Sequence, residues 1–229
     1  VQKIHILIKK VTNLLVGFYM TSINLDISYR CALECPKCRR QQSLKRLGNF
    51  GHDISIENYK KILSYFDSLN FCGSISDPVM HPKFIEFLSL SINHKVKVST
   101  AVSQKPMNWY ESAFESNPDA EWHFGLDGLP EESHLYRINQ DGTKLFEVMK
   151  LATLMGIKTY WQYIVFKYNQ DHIDQAKDMA RKHGIIFKEQ HSSRWDENDP
   201  YKPDDVNHYL TKEYNDEIKQ KFQTKLYPR

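Results

Sequence analysis

Along most of this chain, short segments in which apolar and polar residues alternate are separated by longer stretches in which apolar residues recur every three or four positions. The first pattern marks half-buried strands and the second amphipathic helices. Ile23, Leu25, Ile27 and Tyr29 alternate, which predicts a first strand over 23–29. Five more strands are predicted: Phe71 to Gly73, Lys95 to Ser99, Glu121 to Leu126, Thr159 to Phe166 and Ile185 to Phe187. Between strands, Ile56, Tyr59, Ile62, Leu63 and Phe66 predict a helix from Ile56 to Leu69, with Ser55 as its N-cap. A second helix starts near Pro82, a third opens at Thr143 and stops at Gly156, and a fourth opens at Asp171 and stops at Gly184. Ile173, Ala176, Met179 and Ala180 form the inner face of that last helix.

Six strand–helix units in succession predict a parallel sheet and an α/β fold. Ile4 to Phe18 reads as an additional helix, His191 to Asp205 as a loop rich in Ser, Asp, Asn and Pro, and Val206 to Phe222 as a charged closing helix. The expected organisation is an N-terminal helical extension over 1–21, a core over 22–190, and a C-terminal loop and helix over 191–229, lying over or beside the mouth of a barrel.

Composition narrows this picture. A chain of 229 residues with 41% hydrophobic and 13% aromatic side chains buries one substantial core rather than staying disordered. Its longest apolar runs fall well short of the ~20 residues of a membrane span. The opening Val1-Gln-Lys-Ile-His-Ile-Leu-Ile-Lys-Lys-Val is amphipathic, unlike a secretory signal. A net charge of +3 is too small to argue for nucleic acid by itself. Three of the four cysteines fall within eight residues, too close for a disulfide scaffold, so a reducing cytoplasm is the expected location.

Those three, Cys31, Cys35 and Cys38, follow the first strand. Three thiolates hold three irons of a cubane cluster and leave the fourth iron open to a non-protein ligand. A zinc site completed by Cys72 or His52 is the alternative, but zinc sites favour paired Cys-x2-Cys knuckles. Cys72 itself reads as a buried strand residue, and His81 and His134 as capping or surface residues. Other polar segments also fall just past strand ends, the face where (β/α) barrels build active sites: Gly73 to Pro78, Ser99-Thr100, Asp127-Gly128 and Lys167 to Asn169. The basic run Lys37, Arg39, Arg40, Lys45 and Arg46 either attracts an anionic substrate or is a solvated loop.

The Cys-x3-Cys-x2-Cys spacing, the pair Asp77-Pro78 and the stretch Gly125 to Arg137 together resemble the radical S-adenosylmethionine (SAM) enzymes. The likeness runs from about Asn24 to Gln190, and with Trp161 to Asn169 it is nearest to the branch that often carries a cysteine-rich SPASM extension and modifies peptides. No cysteine follows Cys72, so that extension's clusters are missing from this chain.

The resemblance implies a partial (β/α)6 TIM-type barrel. It implies a 4Fe–4S cluster on Cys31, Cys35 and Cys38, SAM on the open iron, and a one-electron donor such as flavodoxin or ferredoxin. Ser76 and Asp77 stand where the family's Gly-Gly-Glu-Pro motif receives the SAM ammonium. Arg137 stands where an arginine pairs with the SAM carboxylate, Val165 and Phe166 where the adenine is lined, and Gln162 where the ribose or substrate is reached. There are three departures from the pattern: Lys37 replaces an aromatic residue before the last cysteine, Ile75 and Ser76 replace both motif glycines, and Gly125 replaces a serine at the end of the fourth strand.

The implied activity is reductive cleavage of SAM to a 5′-deoxyadenosyl radical that takes hydrogen from a peptide or small polar metabolite. The other readings are nucleotide or nucleic-acid modification, a glycyl-radical activase, and a non-catalytic metal-binding or electron-transfer module. An activase would show Asp-x-Lys where this chain has Asp127-Gly128. No membrane partner is expected.

Overall fold

The computed structural model describes residues 21–48 and 51–211. Its strands are β1 (Ser22–Leu25), β2 (Ser68–Phe71), β3 (Lys95–Thr100), β4 (Glu121–Gly125), β5 (Thr159–Ile164) and β6 (Ile186–Gln190). They form one six-stranded sheet in sequence order, and every neighbouring pair is parallel. The helices are α1 (Arg39–Leu47), α2 (Ile56–Leu63), α3 (Phe84–Leu90), α4 (Met107–Ser116), α5 (Gly142–Leu154) and α6 (Ile173–Lys182). Consecutive parallel strands joined through helices give the partial (β/α)6 barrel expected from the sequence. Among the described residues no helix is long and apolar enough to cross a membrane.

Alternation along the strands sets which side each residue occupies. Leu69 and Phe71, Val96 and Val98, Trp122 and Phe124, and Trp161 and Tyr163 are all buried in the core. Phe84 and Phe87 of α3 and Phe114 of α4 pack into the same layer; the Trp122 ring meets Phe114 edge-on at 4.9 Å and Phe84 at 6.1 Å. The helix ends follow local chemistry. Ser55 Oγ accepts from Asn58 N to start α2, and Asp141, two residues before the expected Thr143, accepts from Lys144 N to start α5. Gly156 and Gly184 take positive φ of 82° and 69° just past α5 and α6, a conformation that favours glycine and stops each helix.

Several boundaries differ from the sequence pattern. The helix expected to reach Leu69 ends at Leu63, because Ser68 and Leu69 are already paired in the sheet with Lys95 and Val96. The second strand therefore spans Ser68–Phe71 and ends before Gly73. The chain leaves the sheet after Leu25 rather than Tyr29, and after Ile164 rather than Phe166. The basic run after Cys38 is helix α1, which has no apolar stripe to announce it. Val206–His208 form a single 3-10 turn and Tyr209 is extended, bridging to Ser192, so the closing helix does not begin at Val206. The rest of that helix and the one expected over Ile4 to Phe18 lie outside the described residues.

Candidate active site

The cysteine loop leaves β1 and runs into α1, with Cys38 at the N-cap position. Its backbone is fastened from several directions. Glu34 N donates to Ile138 O at 3.1 Å, Asp77 N to Arg30 O at 2.8 Å, and Asn139 Nδ2 to Ala32 O at 3.4 Å. The three thiols are half-buried and not in disulfides. Burial pushes the Cys31 thiol up to about 12, with the Asp77 carboxylate adding to the rise and the Leu33 N–H opposing it. Burial also raises Cys35, against the pull of the Arg137 guanidinium. Thiols of this kind give up their protons when a metal takes the protons' place.

The donor set discriminates between metals. Around one zinc with bonds of ~2.3 Å, no two sulfurs stand more than ~4.6 Å apart. Among the described residues, the group of three potential ligands converging within 4.8 Å is Glu189, His191 and His208, not the cysteines. As they stand the three thiols do not all converge as ligands of one ion would, and a cubane cluster holds its cysteines at separate corners. Cys31, Cys35 and Cys38 fit a 4Fe–4S cluster. Cys72 lies just past β2, not buried within it; its thiol is near Asp26 Oδ2 and Ser74 Oγ, both at 3.7 Å.

Asp77 is placed differently from a free carboxylate waiting for a cation. It is buried, and it accepts from Thr100 Oγ1 and Ala101 N, both at 2.8 Å, and from Val79 N and Val102 N, both at 3.3 Å. Four donors saturate its lone pairs and pin the turn after β2 to the end of β3. Burial raises its pKa against those hydrogen bonds. Ser76 is also buried, its hydroxyl donating to Asp26 Oδ1 at 3.1 Å.

Arg137 Nε meets Asp127 Oδ2 at 2.7 Å in a largely buried pair. Burial opposes the guanidinium's charge, but Asp127 and Cys35 more than offset it and its pKa rises. Burial likewise raises Asp127, with Arg137 and the Ile164 N–H opposing. This arginine accounts for one departure from the family pattern: a Cβ at Gly125 would stand 2.8 Å from Arg137 Nη2 and 3.1 Å from its Cζ. The guanidinium lies over the end of β4, in the space that a serine would take.

Phe166 packs at 4.3 Å against Tyr136 and edge-on against Trp195 at 5.3 Å and Tyr201 at 6.3 Å. Val165 is fully enclosed in the hydrophobic core, so of the two residues expected at the adenine it is Phe166 that joins the aromatic group. Gln162 sits half-buried on β5, beside Gly125 in register, and its amide has no hydrogen-bond partner among the described residues. Lys37, in place of an aromatic, pairs with Asp196 at 2.7 Å and with Asp199, and donates to Arg194 O at 3.2 Å. It binds the segment after β6 to the cysteine loop. Lys167 N donates to Tyr201 O at 3.0 Å and Lys167 Nζ to Asp204 Oδ1 at 2.8 Å, which fixes that segment on β5's end as well.

Sequence reasoning missed Tyr136 and the inward-facing set Lys97, His123 and Lys188. The signal for the latter was there: along β3, β4 and β6 the positions alternating with core residues are polar. His81 is a capping residue: its Nδ1 accepts from Lys83 N at 3.0 Å while its ring packs on Phe87.

Comparison with known proteins agrees with this geometry. No family model matches the sequence, and no curated protein matches it. Solved structures do. Streptococcus suis SuiB superposes with a TM-score of 0.61 at 12% identity, covering 96% of this chain and 50% of SuiB. An anSMEcpe structure with bound AdoMet gives 0.59 at 17%, covering 89% and 61%. Methylornithine synthase (PylB) gives 0.55 at 12%, covering 80% and 56%. The fold is that of the radical SAM enzymes. The chain spans 50% to 61% of the length of these three proteins, and at such identities the likeness is one of fold.

Proposed function

We propose that this protein is a radical SAM enzyme acting on a peptide or small polar metabolite. The observation that carries the reading is the loop of three half-buried thiols at the C-terminal end of a parallel partial barrel, a donor set that leaves one corner of a cubane without a protein ligand. A bound 4Fe–4S cluster would supply one-electron cleavage of SAM and so a 5′-deoxyadenosyl radical able to take hydrogen from carbon.

This chain's own residues hold and enclose. Cys31, Cys35 and Cys38 ligate the cluster, and Arg137, oriented by Asp127, offers its remaining N–H groups to the SAM carboxylate. Asp77 shapes the turn that carries Ser76, leaving the ammonium to main-chain carbonyls there. Phe166, backed by Val165, lines the adenine, and the free amide of Gln162 reaches the ribose or the substrate. The segment from His191 covers the mouth and limits access of water. A peptide substrate is supported by SuiB bound to the precursor peptide SuiA and anSMEcpe bound to the Cp18Cys peptide, both of the same fold. The electron donor is a one-electron carrier such as flavodoxin or ferredoxin.

Anaerobic reconstitution tests the reading. It predicts about four irons per chain and release of 5′-deoxyadenosine from SAM upon reduction. Cys31→Ala, Cys35→Ala and Cys38→Ala each abolish both, whereas Cys72→Ala keeps the cluster. Zinc bound without iron, or a cluster that never cleaves SAM, overturns it.

A further inference from the structure

Between the cysteine loop, α1 and the segment after β6 lies a cavity of about 1060 Å³, walled in part by Lys37, Arg39, Ser74, Ile164, Gln190 and Arg194. Its lining is net basic. Lys37 is held by two carboxylates, Asp196 and Asp199, which leaves one acidic charge over against the two arginines. Arg39 and Arg194 meet no carboxylate within ion-pair distance among the described residues, although Arg194 Nε donates to Ser192 Oγ at 3.1 Å.

The same imbalance continues down the concave face of the sheet. Ile164 and Gln190 are register partners at the cavity wall, and two residues back along those strands Gln162 is paired with Lys188. The Lys188 ammonium lies 4.1 Å from the centre of the Tyr160 ring, which stacks on the His123 ring at 4.1 Å. Neither Lys188 nor Lys97 has a carboxylate partner among the described residues. The His123 side chain is 1% exposed, and neither ring nitrogen has a hydrogen-bond partner; its neighbouring carboxylate, Glu121, is 3.7 Å away and held by Lys158 at 2.5 Å. Burial, with Lys97 and Lys188 adding to it, holds this imidazole down to about 4, so it is neutral and neither adds to nor offsets the positive charge. Asp26 and Glu121 are acids on this face: Asp26 accepts from Ile75 N and Ser76 Oγ, and Glu121, the register partner of Lys97, is held by Lys158.

Cations left unpaired in a concave wall repel one another and focus their field on whatever enters. A three-thiolate cluster and a sulfonium carry opposite net charges that largely cancel, so neither removes the excess. We propose that the substrate of this cavity is anionic and engages Arg39 and Arg194 at its rim through carboxylate or phosphate groups, with Lys188, two residues back along β6 from Gln190, adding to the field. The inference rests on the radical SAM reading for the cavity's being a substrate site. For Arg39, exposed but lining the cavity, it supports the anion-attracting alternative left open in the sequence.

Fluorescence anisotropy on the reconstituted, SAM-loaded full chain tests it, with labelled hexaglutamate and hexalysine as probes. Hexaglutamate should bind and hexalysine should not, and binding should fall steeply with added salt. Affinity should drop at least tenfold in the Lys188→Gln/Arg194→Gln double variant and severalfold in Arg39→Gln, whose exposed position spares the fold. It should return in Lys188→Arg/Arg194→Lys and be unchanged in Lys60→Gln/Lys61→Gln on α2. Displacement by pyrophosphate but not glutarate assigns phosphate as the recognised group, and the reverse assigns carboxylate. Equal binding of both peptides, or unchanged affinity in Arg39→Gln and the double variant, overturns the proposal. A wild-type protein that binds hexaglutamate at this wall yet never forms 5′-deoxyadenosine sinks the enzymatic reading and leaves the anion site standing.

Discussion

The two faces of the sheet are built from the same strands and share almost no chemistry. On the outer face Phe71, Val98, Trp122, Phe124 and Trp161 lie under the helices, fully buried. On the inner face the alternating positions include Asn70, Lys97, Ser99, Glu121, His123, Tyr160, Gln162, Ile186 and Lys188, and Asn70 Nδ2 donates to Asn24 Oδ1 at 2.6 Å. In a closed eight-stranded barrel the inner positions are filled with branched apolar side chains and the interior is a packed core. Six strands stop short of closure, so the inner residues need not fill the space. Apolar packing under the helices falls to the outward-facing half of each strand, while most inward-facing positions, one residue apart, are polar.

Mutations on the two faces can break or sharpen that division. Trp122→Ala should have the largest effect, about 3–5 kcal/mol of lost stability in urea unfolding, because no neighbour can fill the space of a fully buried indole. A loss under 1 kcal/mol would mean that the outer layer is not the main core. His123 is the inner-face residue closest to a structural role, and pH exposes it. Its folded pKa is about 4 against an ordinary 6.5, so as pH falls the unfolded chain takes up the proton first. Stability is therefore unaffected above pH 6.5 and declines from there toward pH 4, by at most about 3 kcal/mol. Thermal melts across that window should show a steeper decline in wild type than in His123→Gln.

Asp77→Ala should cost about 1–3 kcal/mol, since it strands the Thr100 hydroxyl and the Ala101 and Val102 N–H groups in a buried site. A variant as stable as wild type that only loses SAM would show that the carboxylate serves the cofactor after all. Gln162→Ala should move stability by no more than about 0.5 kcal/mol and should register in ligand affinity measured by calorimetry.

Sequence periodicity revealed the sheet and its order because alternation is strong where one face is covered. Lys95 to Ser99 and Glu121 to Leu126 match β3 and β4 nearly residue for residue. It failed for α1, whose Arg-Arg-Gln-Gln-Ser-Leu-Lys-Arg-Leu is almost wholly polar, and left α4 unread although Tyr110, Ala113 and Phe114 recur at helical spacing behind Pro106. In the site, the three cysteines were legible because their spacing is local. The meeting of Arg137 with Asp127 and Gly125 was not, since the loop that joins them returns over β4 only in three dimensions. For the same reason the motif position of Asp77 suggested a ligand but gave no sign of the four donors that hold its carboxylate between the turn after β2 and the end of β3. The docking of Trp195 and Tyr201 on Phe166 depends on a segment with no regular pattern at all.

The ties on the cysteine loop also order events in time. Ile138 and Asn139 hold its middle, and Lys37 reaches Asp196 across 159 residues of chain. Contacts this distant form late, because the chain must first lose the entropy of a long closure. During synthesis the cysteines therefore emerge among the first segments of the sheet and are fixed among the last, once β6 and the residues behind it have left the ribosome. An early chain end within that stretch would yield a protein with every cysteine in place and the loop that presents them unfastened.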